Sequence, residues 1–320
     1  MIRLVQCFAA LGCVLALVLA CVPGVSVTPA DAYGLPVGET MRSLLHDGRA
    51  RNYILYVPAS IDWSRPVPLV FVFHGATSTA SLAVRMSGFN AIADEDGFLV
   101  VYPNGTSASG NGTNQTWNAG TCCGYAKENH VDDVGFVRAI VADLQSSGNL
   151  DPQRIYAAGM SNGAMMSYRL ACEAADLFAA VAPVAGKLAL SPCTPAEPIP
   201  LIAFHGTEDG AIVYNAALVS VEAWASLNAC NPEPIRSTFE DIYHDVWMEC
   251  VDFTDLELYT IVGGDHSWPG DAREQPGTDT IAASPLIWEF FAAHPKPAAN
   301  SPLSTRNYLP IVRNGVSTSP

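Results

Sequence analysis

Basic residues are scarce in this chain. Its 320 residues include 16 Lys and Arg against 31 Asp and Glu, which gives a formal net charge of −15 at pH 7. The few basic side chains form no cluster along the sequence. Nucleic acids and anionic membranes attract proteins largely through such clusters. The composition therefore argues against both as partners, and it favours solubility as the reason for the acidity.

Metal-ligand spacings are also missing. The sequence has no CxxC pair and no cluster of Cys and His, which are the patterns typical of zinc sites. His130 with Asp132 and Asp133 is a weaker candidate, but the segment VDDVGF is more typical of a helix start with acidic capping residues. We therefore expect no metal, and the chemistry inferred below requires no cofactor.

An apolar run from Cys7 to Val22 follows a basic N-terminus. It is short for a membrane span, and its flanks suit an export signal. The small-x-small triplet at residues 30–32 predicts a signal peptide of residues 1–32. Alternatively, residues 18–21 resemble a bacterial lipobox, which would place a lipid anchor on Cys21. We favour secretion, with attachment to the cell surface through Cys21 as the alternative, and we expect no transmembrane span in the mature chain.

Six of the nine cysteines lie beyond this N-terminal region: Cys122, Cys123, Cys172, Cys193, Cys230 and Cys250. An even set in an exported protein is expected to form disulfides. We predict a bond between Cys230 and Cys250, which flank one variable loop. The adjacent Cys122 and Cys123 are expected to bond to different partners, and the remaining pairing stays open.

Apolar strand patterns alternate with helical patterns over residues 33–295, which we interpret as one catalytic domain. Alternation of this kind predicts an α/β fold with a mostly parallel sheet and helices on both faces. Residues 296–320 are interpreted as a linker rich in Pro and Ala, followed by a short apolar tail. The strands are predicted at 51–59, 68–75, 98–103, 154–161, 179–186, 198–206 and 256–264, and the helices at 81–94, 131–145, 162–174, 216–227 and 285–294.

The segment Gly159–Gly163 has the form G-x-S-x-G and suggests a nucleophile. The pattern alone is weak, because it also occurs by chance and Ser161 could be an ordinary helix N-cap. Its context strengthens it: an apolar strand precedes Ser161 and a helical pattern follows. A strand–turn–helix setting is what a nucleophile elbow requires.

A serine nucleophile needs a base within hydrogen-bond reach. In this type of fold an acid and then a histidine follow the serine along the chain. Glu208 and Asp209 come after a predicted buried strand, and His266, in GGDHSWPG, follows the next one. Open α/β sheets place their sites at these strand ends. We therefore predict His266 as the general base, with Glu208 or Asp209 as its acidic partner.

Acyl transfer also needs N–H donors for the oxyanion. The backbone N–H of Asn162 is the first candidate, and that of Ala76 is the second, with Thr77 as the alternative. His74 is then expected to shape its loop rather than to exchange protons. Trp117 and Trp268 are assigned to an apolar substrate wall, although both are equally compatible with a place in the core.

Six segments follow one another along the chain: HGAT, WNAGTCCG, VDDVGFV, GMSNGAMMSYRLAC, FHGTED and GGDHSWPG. Together they resemble the secreted polyhydroxybutyrate depolymerase and feruloyl esterase group of α/β-hydrolases, over residues 38–295. The resemblance implies an α/β-hydrolase fold and a Ser161–Asp209–His266 triad, and it selects Asp209 over Glu208. Asp265 departs from the group, which commonly has a third glycine there.

The resemblance also implies hydrolysis of carboxylic esters without a cofactor. The implied partner is an ester substrate, which includes polymeric substrates such as plant cell-wall feruloyl esters or polyhydroxyalkanoate. Acetylxylan esterase and aromatic-polyester esterase are further options within the same chemistry. A contrasting function is a non-catalytic surface lipoprotein that binds polymer in the cleft.

Overall fold

The computed structural model describes residues 35–110, 112–271 and 280–297. The predicted signal peptide with Cys21 and most of the predicted C-terminal tail lie outside these ranges. Among the helices in these ranges, none is both long enough and apolar enough to cross a membrane.

Ten strands of the described chain form one sheet in the order β1-β2-β4-β3-β5-β6-β7-β10-β9-β8. The strands are β1 (Gly38–His46), β2 (Arg49–Val57), β3 (Val67–Phe73), β4 (Leu99–Pro103), β5 (Leu150–Met160), β6 (Ala180–Val184), β7 (Leu201–Gly206), β8 (Ile235–Phe239), β9 (Ile242–Trp247) and β10 (Leu256–Ile261). The six central strands from β4 to β10 pair in parallel. The strands on either flank pair antiparallel.

Helices cover both faces of this sheet. They are α1 (Ala80–Ser87), α2 (Phe89–Asp96), α3 (Gly124–Glu128), α4 (Asp133–Ser147), α5 (Asn162–Glu173), α6 (Tyr214–Leu227) and α7 (Ala283–Ala293). One apolar cluster includes residues of α4, α5 and α6, and a second includes residues of α1, α2 and α7. The predicted mostly parallel sheet with helices on both faces is confirmed.

Strand β3 shows why the central strands have continuous apolar sequences. Phe71 belongs to the first cluster, whereas Val70 and Val72 belong to the second. Successive side chains of a strand point to opposite faces, so a strand buried on both sides needs an apolar residue at every position. All seven residues of β3 are buried.

The structure departs from the predicted elements in several places, one of which is the short helix α3, which no predicted helix covers. The helix predicted over 81–94 is two helices, because Gly88 has a left-handed φ of 64° and ends α1. The segment enclosed by Cys230 and Cys250 is not simply a loop but contains the β8–β9 hairpin. Strand β1 was also missed, since the half-buried positions of this edge strand carry mostly polar residues and no alternation of apolar residues marks it.

The six cysteines of the described chain form three disulfides. Cys230 bonds to Cys250, the pair expected from the sequence. Cys172 bonds to Cys193. The expectation that Cys122 and Cys123 bond to different partners is wrong, because they bond to each other. The other four of these cysteines pair with one another, so none of them is available to Cys122 or Cys123.

The packed chain extends to the start of the predicted linker. The backbone N–H of Lys296 donates to the carbonyl of Gln153 at 2.8 Å, and its ammonium group bonds to Ala175 and Glu197. Lys296, the first residue of the predicted linker, therefore contacts the rest of the described chain.

Candidate active site

Ser161 lies in the sharp turn between β5 and α5, with φ 57° and ψ −118°. A non-glycine residue with such a φ costs on the order of 1–3 kcal/mol and persists only where the surroundings hold it. Here the N–H of Ser161 donates to the carbonyl of Val184 at 2.9 Å, and its carbonyl accepts from Met165 at 3.0 Å. A side chain at Gly163 would collide with the Phe73 carbonyl, which explains the second glycine of the motif.

Asp209 and His266 form the acid–histidine pair of the site. The Nδ1 of His266 lies 2.7 Å from Oδ2 of Asp209. A carboxylate only accepts hydrogen bonds, so Nδ1–H is the donor and Nε2 is left to accept a proton. The other oxygen, Oδ1, accepts the N–H groups of Ala211 at 2.8 Å and Ile212 at 2.7 Å. These bonds fix the orientation of a carboxylate that is itself buried.

Asp209 rather than Glu208 is therefore the partner of His266. Glu208 is exposed, and its backbone N–H donates to the carbonyl of Gly264 at 2.9 Å. This bond ties the loop after β7 to the loop after β10. Gly206 permits the approach, because a side chain there would collide with the backbone of Gly264.

His205 lies beneath this pair, at the end of β7. Its Nε2 is 2.8 Å from the carbonyl of Ile212 and 3.3 Å from Oδ2 of Asp209. Burial lowers the pKa of His205, which favours the neutral imidazole. A neutral ring with Nε2–H as donor supports the loop that carries Asp209.

The loop after β3 lies against Ser161 and carries the second candidate oxyanion donor. A Cβ placed on Gly75 would lie 3.4 Å from Cβ of Ser161. The N–H of Thr77 is already used, since it donates to the carbonyl of Gln115 at 2.8 Å. Ala76 is thus the better candidate of the two. Asn162 is the first residue of α5. The first N–H groups of a helix have no acceptor within the helix.

The two tryptophans assigned to a substrate wall are both fully buried. The indole of Trp117 donates to the carbonyl of His74 at 2.9 Å and packs edge-on against Phe73. The indole of Trp268 donates to the hydroxyl of Ser284 at 3.0 Å. Neither indole has an exposed surface that a substrate could contact, so the structure corrects this assignment. Large amphipathic rings near a site are often core residues whose N–H finds an internal acceptor.

Two contacts near Ser161 were not anticipated from the sequence. The side chain of Asn162 bonds to the backbone of Trp117, and its Nδ2 lies 4.0 Å from Sγ of Cys122. The bonded Cys122 and Cys123 pack against a small apolar cluster that includes Met165, on the helix that begins beside Ser161. The adjacent cysteines in WNAGTCCG were visible, but no sequence pattern indicated that they lie beside the predicted nucleophile.

The two carboxylates considered for a metal, those of Asp132 and Asp133, have other partners. The carboxylate of Asp133 is fully buried and accepts from Arg51 at 2.8 Å. Asp132 caps α4 through the N–H of Gly135 and lies 2.9 Å from His46. Within residues 35–110, 112–271 and 280–297, no group of three or more potential ligands is assembled.

Sequence comparison identifies the family. Residues 51–229, more than half of the chain, match the sequence profile described as "Esterase PHB depolymerase". Feruloyl esterase B of Piromyces equi is 32% identical over 243 residues, covering 70% of this chain and 44% of that enzyme. Poly(3-hydroxyalkanoate) depolymerase C of Paucimonas lemoignei is 29% identical over 269 residues, covering 70% of this chain and 63% of that enzyme. The chain thus spans less than two thirds of the length of either relative.

A solved structure gives the fold. That of the acetyl xylan esterase from Aspergillus awamori matches with a TM-score of 0.62 at 15% identity, covering 79% of this chain and 99% of that one. At this identity the likeness concerns the fold alone, and it confirms the predicted α/β-hydrolase fold. With the profile match over more than half of its residues, the chain belongs to the esterase PHB depolymerase family.

Proposed function

We propose that this protein is a secreted serine carboxylic-ester hydrolase with Ser161 as nucleophile, His266 as general base and Asp209 as the acid that orients the base. The hydrogen bond of 2.7 Å between His266 and Asp209 carries this proposal, because it leaves Nε2 of His266 as the proton acceptor. The position of Ser161, on a strained turn between strand and helix, also supports the proposal. All three residues follow the C-terminal ends of parallel strands, where α/β sheets place their sites.

In the proposed reaction, Ser161 Oγ attacks the ester carbonyl while Nε2 of His266 takes the hydroxyl proton. The N–H groups of Ala76 and Asn162 stabilise the oxyanion of the tetrahedral intermediate. His266 then protonates the leaving alcohol, and an acyl-enzyme remains on Ser161. A water molecule, deprotonated by His266, attacks this acyl group and releases the acid.

The substrates proposed for this site are feruloyl esters and poly(3-hydroxyalkanoate). The names of the two relatives support them, since one is a feruloyl esterase and the other a depolymerase. Because the chain covers only part of each relative, the two substrate classes have to be separated by measurement.

Export is part of the proposal. The three disulfides of the described chain suit an oxidising compartment, in which such bonds persist. The N-terminal export signal predicted from the sequence points the same way. The mass of the mature N-terminus distinguishes cleavage after residue 32 from lipidation of Cys21.

The test compares kcat/KM on methyl ferulate with kcat/KM on a 3-hydroxybutyrate trimer, using Ser161→Ala as the blank. We expect Ser161→Ala to reduce kcat on the preferred ester by a factor on the order of 10⁴ or more. A ratio well above one identifies a feruloyl esterase, and a ratio well below one identifies a polyester depolymerase. Turnover that survives in Ser161→Ala would refute the assignment, and polymer binding without ester turnover would favour a non-catalytic surface protein.

A further inference from the structure

We propose that Trp117 is a positioning residue, which holds the two backbone donors of the oxyanion hole, Asn162 and Ala76, in a fixed relation to each other. The inference rests on the proposed esterase function and concerns the same site. It gives Trp117 a role different from the substrate contact that its sequence position suggested.

The first link joins Asn162 to Trp117. The Oδ1 of Asn162 accepts the backbone N–H of Trp117 at 2.7 Å, and its Nδ2 donates to the Trp117 carbonyl at 3.1 Å. Asn162 is buried, so both bonds are shielded from water. The residue that supplies one oxyanion N–H is thereby fastened at two points to the backbone of Trp117.

The second link joins Trp117 to the loop after β3. Its indole N–H donates to the carbonyl of His74 at 2.9 Å. Its ring also packs against the imidazole of His74, with the ring centroids 4.9 Å apart. Trp117 is fully buried, and a buried indole N–H without an acceptor would be costly. The ring therefore has little freedom to move relative to His74.

The third link sets the direction of the Ala76 N–H. The Nδ1 of His74 lies 2.7 Å from the carbonyl oxygen of Gly75, and its Nε2 accepts the N–H of Gly105 at 3.1 Å. The Gly75 carbonyl and the Ala76 N–H belong to one planar peptide unit and point in opposite directions. Holding the oxygen on the imidazole therefore aims the N–H the other way. Burial lowers the pKa of His74 to about 4, so the ring is neutral and can donate and accept at the same time.

The peptide that carries the Asn162 N–H is held in a similar way. Its carbonyl, that of Ser161, accepts the N–H of Met165 at 3.0 Å. Both oxyanion N–H groups thus belong to peptides whose oxygens are hydrogen bonded. Trp117 connects the two peptides through buried side-chain contacts. An oxyanion donor acts only when it is aimed at the position of the developing charge, so a small shift between the two donors reduces the rate.

The test replaces Trp117 by Phe and uses Trp224→Phe as a matched control. Trp224 is also fully buried, and its indole N–H donates to a backbone carbonyl, that of Ile199, at the same distance of 2.9 Å. Both substitutions keep an aromatic ring and remove one buried donor. Only Trp117 belongs to the proposed link between the oxyanion donors. The measurements are kcat, KM, the melting temperature and the inhibition constant of a trifluoromethyl ketone, whose adduct with Ser161 places a negative oxygen in the oxyanion hole.

Trp117→Phe should lower kcat by about 10- to 100-fold with KM changed by less than about threefold, because removal of a complete oxyanion donor costs ~10²–10³. The inhibition constant of the ketone should rise by a similar factor. Trp224→Phe should lower the melting temperature about as much as Trp117→Phe does, but it should leave kcat within about twofold. Equal losses of kcat in the two variants, or a loss confined to KM in Trp117→Phe, would overturn the positioning role.

A second variant covers the case in which Trp117→Phe does not fold. Asn162→Asp keeps the backbone N–H and the acceptor oxygen but removes the Nδ2 donor to the Trp117 carbonyl. It should lower kcat and weaken the ketone without a matching rise in KM, and unchanged kcat would count against the link. These results are separate from the fate of the proposed function, which is tested by whether Ser161→Ala retains turnover.

Discussion

At the scale of the residue, the site is built from buried polar groups that each have a defined partner. The carboxylate of Asp209 accepts two backbone N–H groups as well as His266. His74 uses both ring nitrogens, one as a donor and one as an acceptor. An unpaired polar group in such a place would cost on the order of 1–3 kcal/mol. The same bonds that avoid this cost also fix the tautomers and directions that the proposed ester hydrolysis requires.

The neutral state of His74 predicts a pH dependence of stability. Burial lowers its pKa from an ordinary 6.5 to about 4. As the pH falls from 6.5 to 4, His74 binds a proton in the unfolded chain but not in the folded protein, so the free energy of unfolding decreases. The stability that neutral His74 contributes is fully present above pH 6.5, and about 3 kcal/mol of it is lost between pH 6.5 and pH 4.

Chemical denaturation at several pH values measures this effect. In His74→Gln the free energy of unfolding should depend less steeply on pH between 4 and 6.5 than in the unchanged protein. His130→Gln, at an exposed position, serves as the control and should keep the original slope. Identical slopes for His74→Gln and the unchanged protein would show that His74 is not buried in its neutral form.

At the scale of the element, the sequence predicts best where apolar side chains follow a regular period. The central strands and α4, α5 and α6 lie close to their predicted ranges, because burial on one or two faces leaves such a period. The hairpin of β8 and β9 was missed, since β8 is exposed at all five positions. An edge strand of this kind is defined by its pairing with β9, which depends on residues distant from its own sequence pattern.

Site residues could likewise be predicted only where a recognisable apolar strand locates them. Ser161, Asp209 and His266 could be proposed because each directly follows an apolar strand that is recognisable from sequence. Trp117 could not be placed, because a tryptophan in a polar loop is equally compatible with a cleft and with a core. Its burial results from contacts with Phe73 and His74, about 40 residues earlier in the chain, and no local period encodes such contacts.

The disulfide between Cys230 and Cys250 yields a prediction about the hairpin. It closes a segment with a sequence separation of 20 and lies near the N-terminal end of β10, opposite the edge that carries His266. Loop closure of this length stabilises a folded protein by about 3 kcal/mol in the chain-entropy account. Replacing both cysteines by Ala should therefore lower the free energy of unfolding by about 3 kcal/mol, while kcat stays within about twofold. A large loss of kcat at full folding would show that the hairpin supports the site.

At the scale of the whole molecule, the parallel sheet explains how distant segments form one site. Ser161 follows β5, Asp209 follows β7 and His266 follows β10, and these strands run in the same direction within one sheet. Their C-terminal ends meet at one edge. The family profile ends at residue 229, before His266. The hydrogen bond between His266 and Asp209 therefore extends the candidate site beyond the part of the chain that identifies the family.

The central claim is that Ser161 is a nucleophile activated by the pair of His266 and Asp209. The most direct measurement is the rate at which a fluorophosphonate ester labels the protein, with mass spectrometry of the modified peptide. We predict a single adduct on Ser161, formed much more slowly in Asp209→Asn, since loss of the orienting carboxylate lowers triad activity by about 10⁴. Glu208→Gln should label at the original rate. An adduct on another residue, or equal labelling rates for Asp209→Asn and Glu208→Gln, would contradict the account.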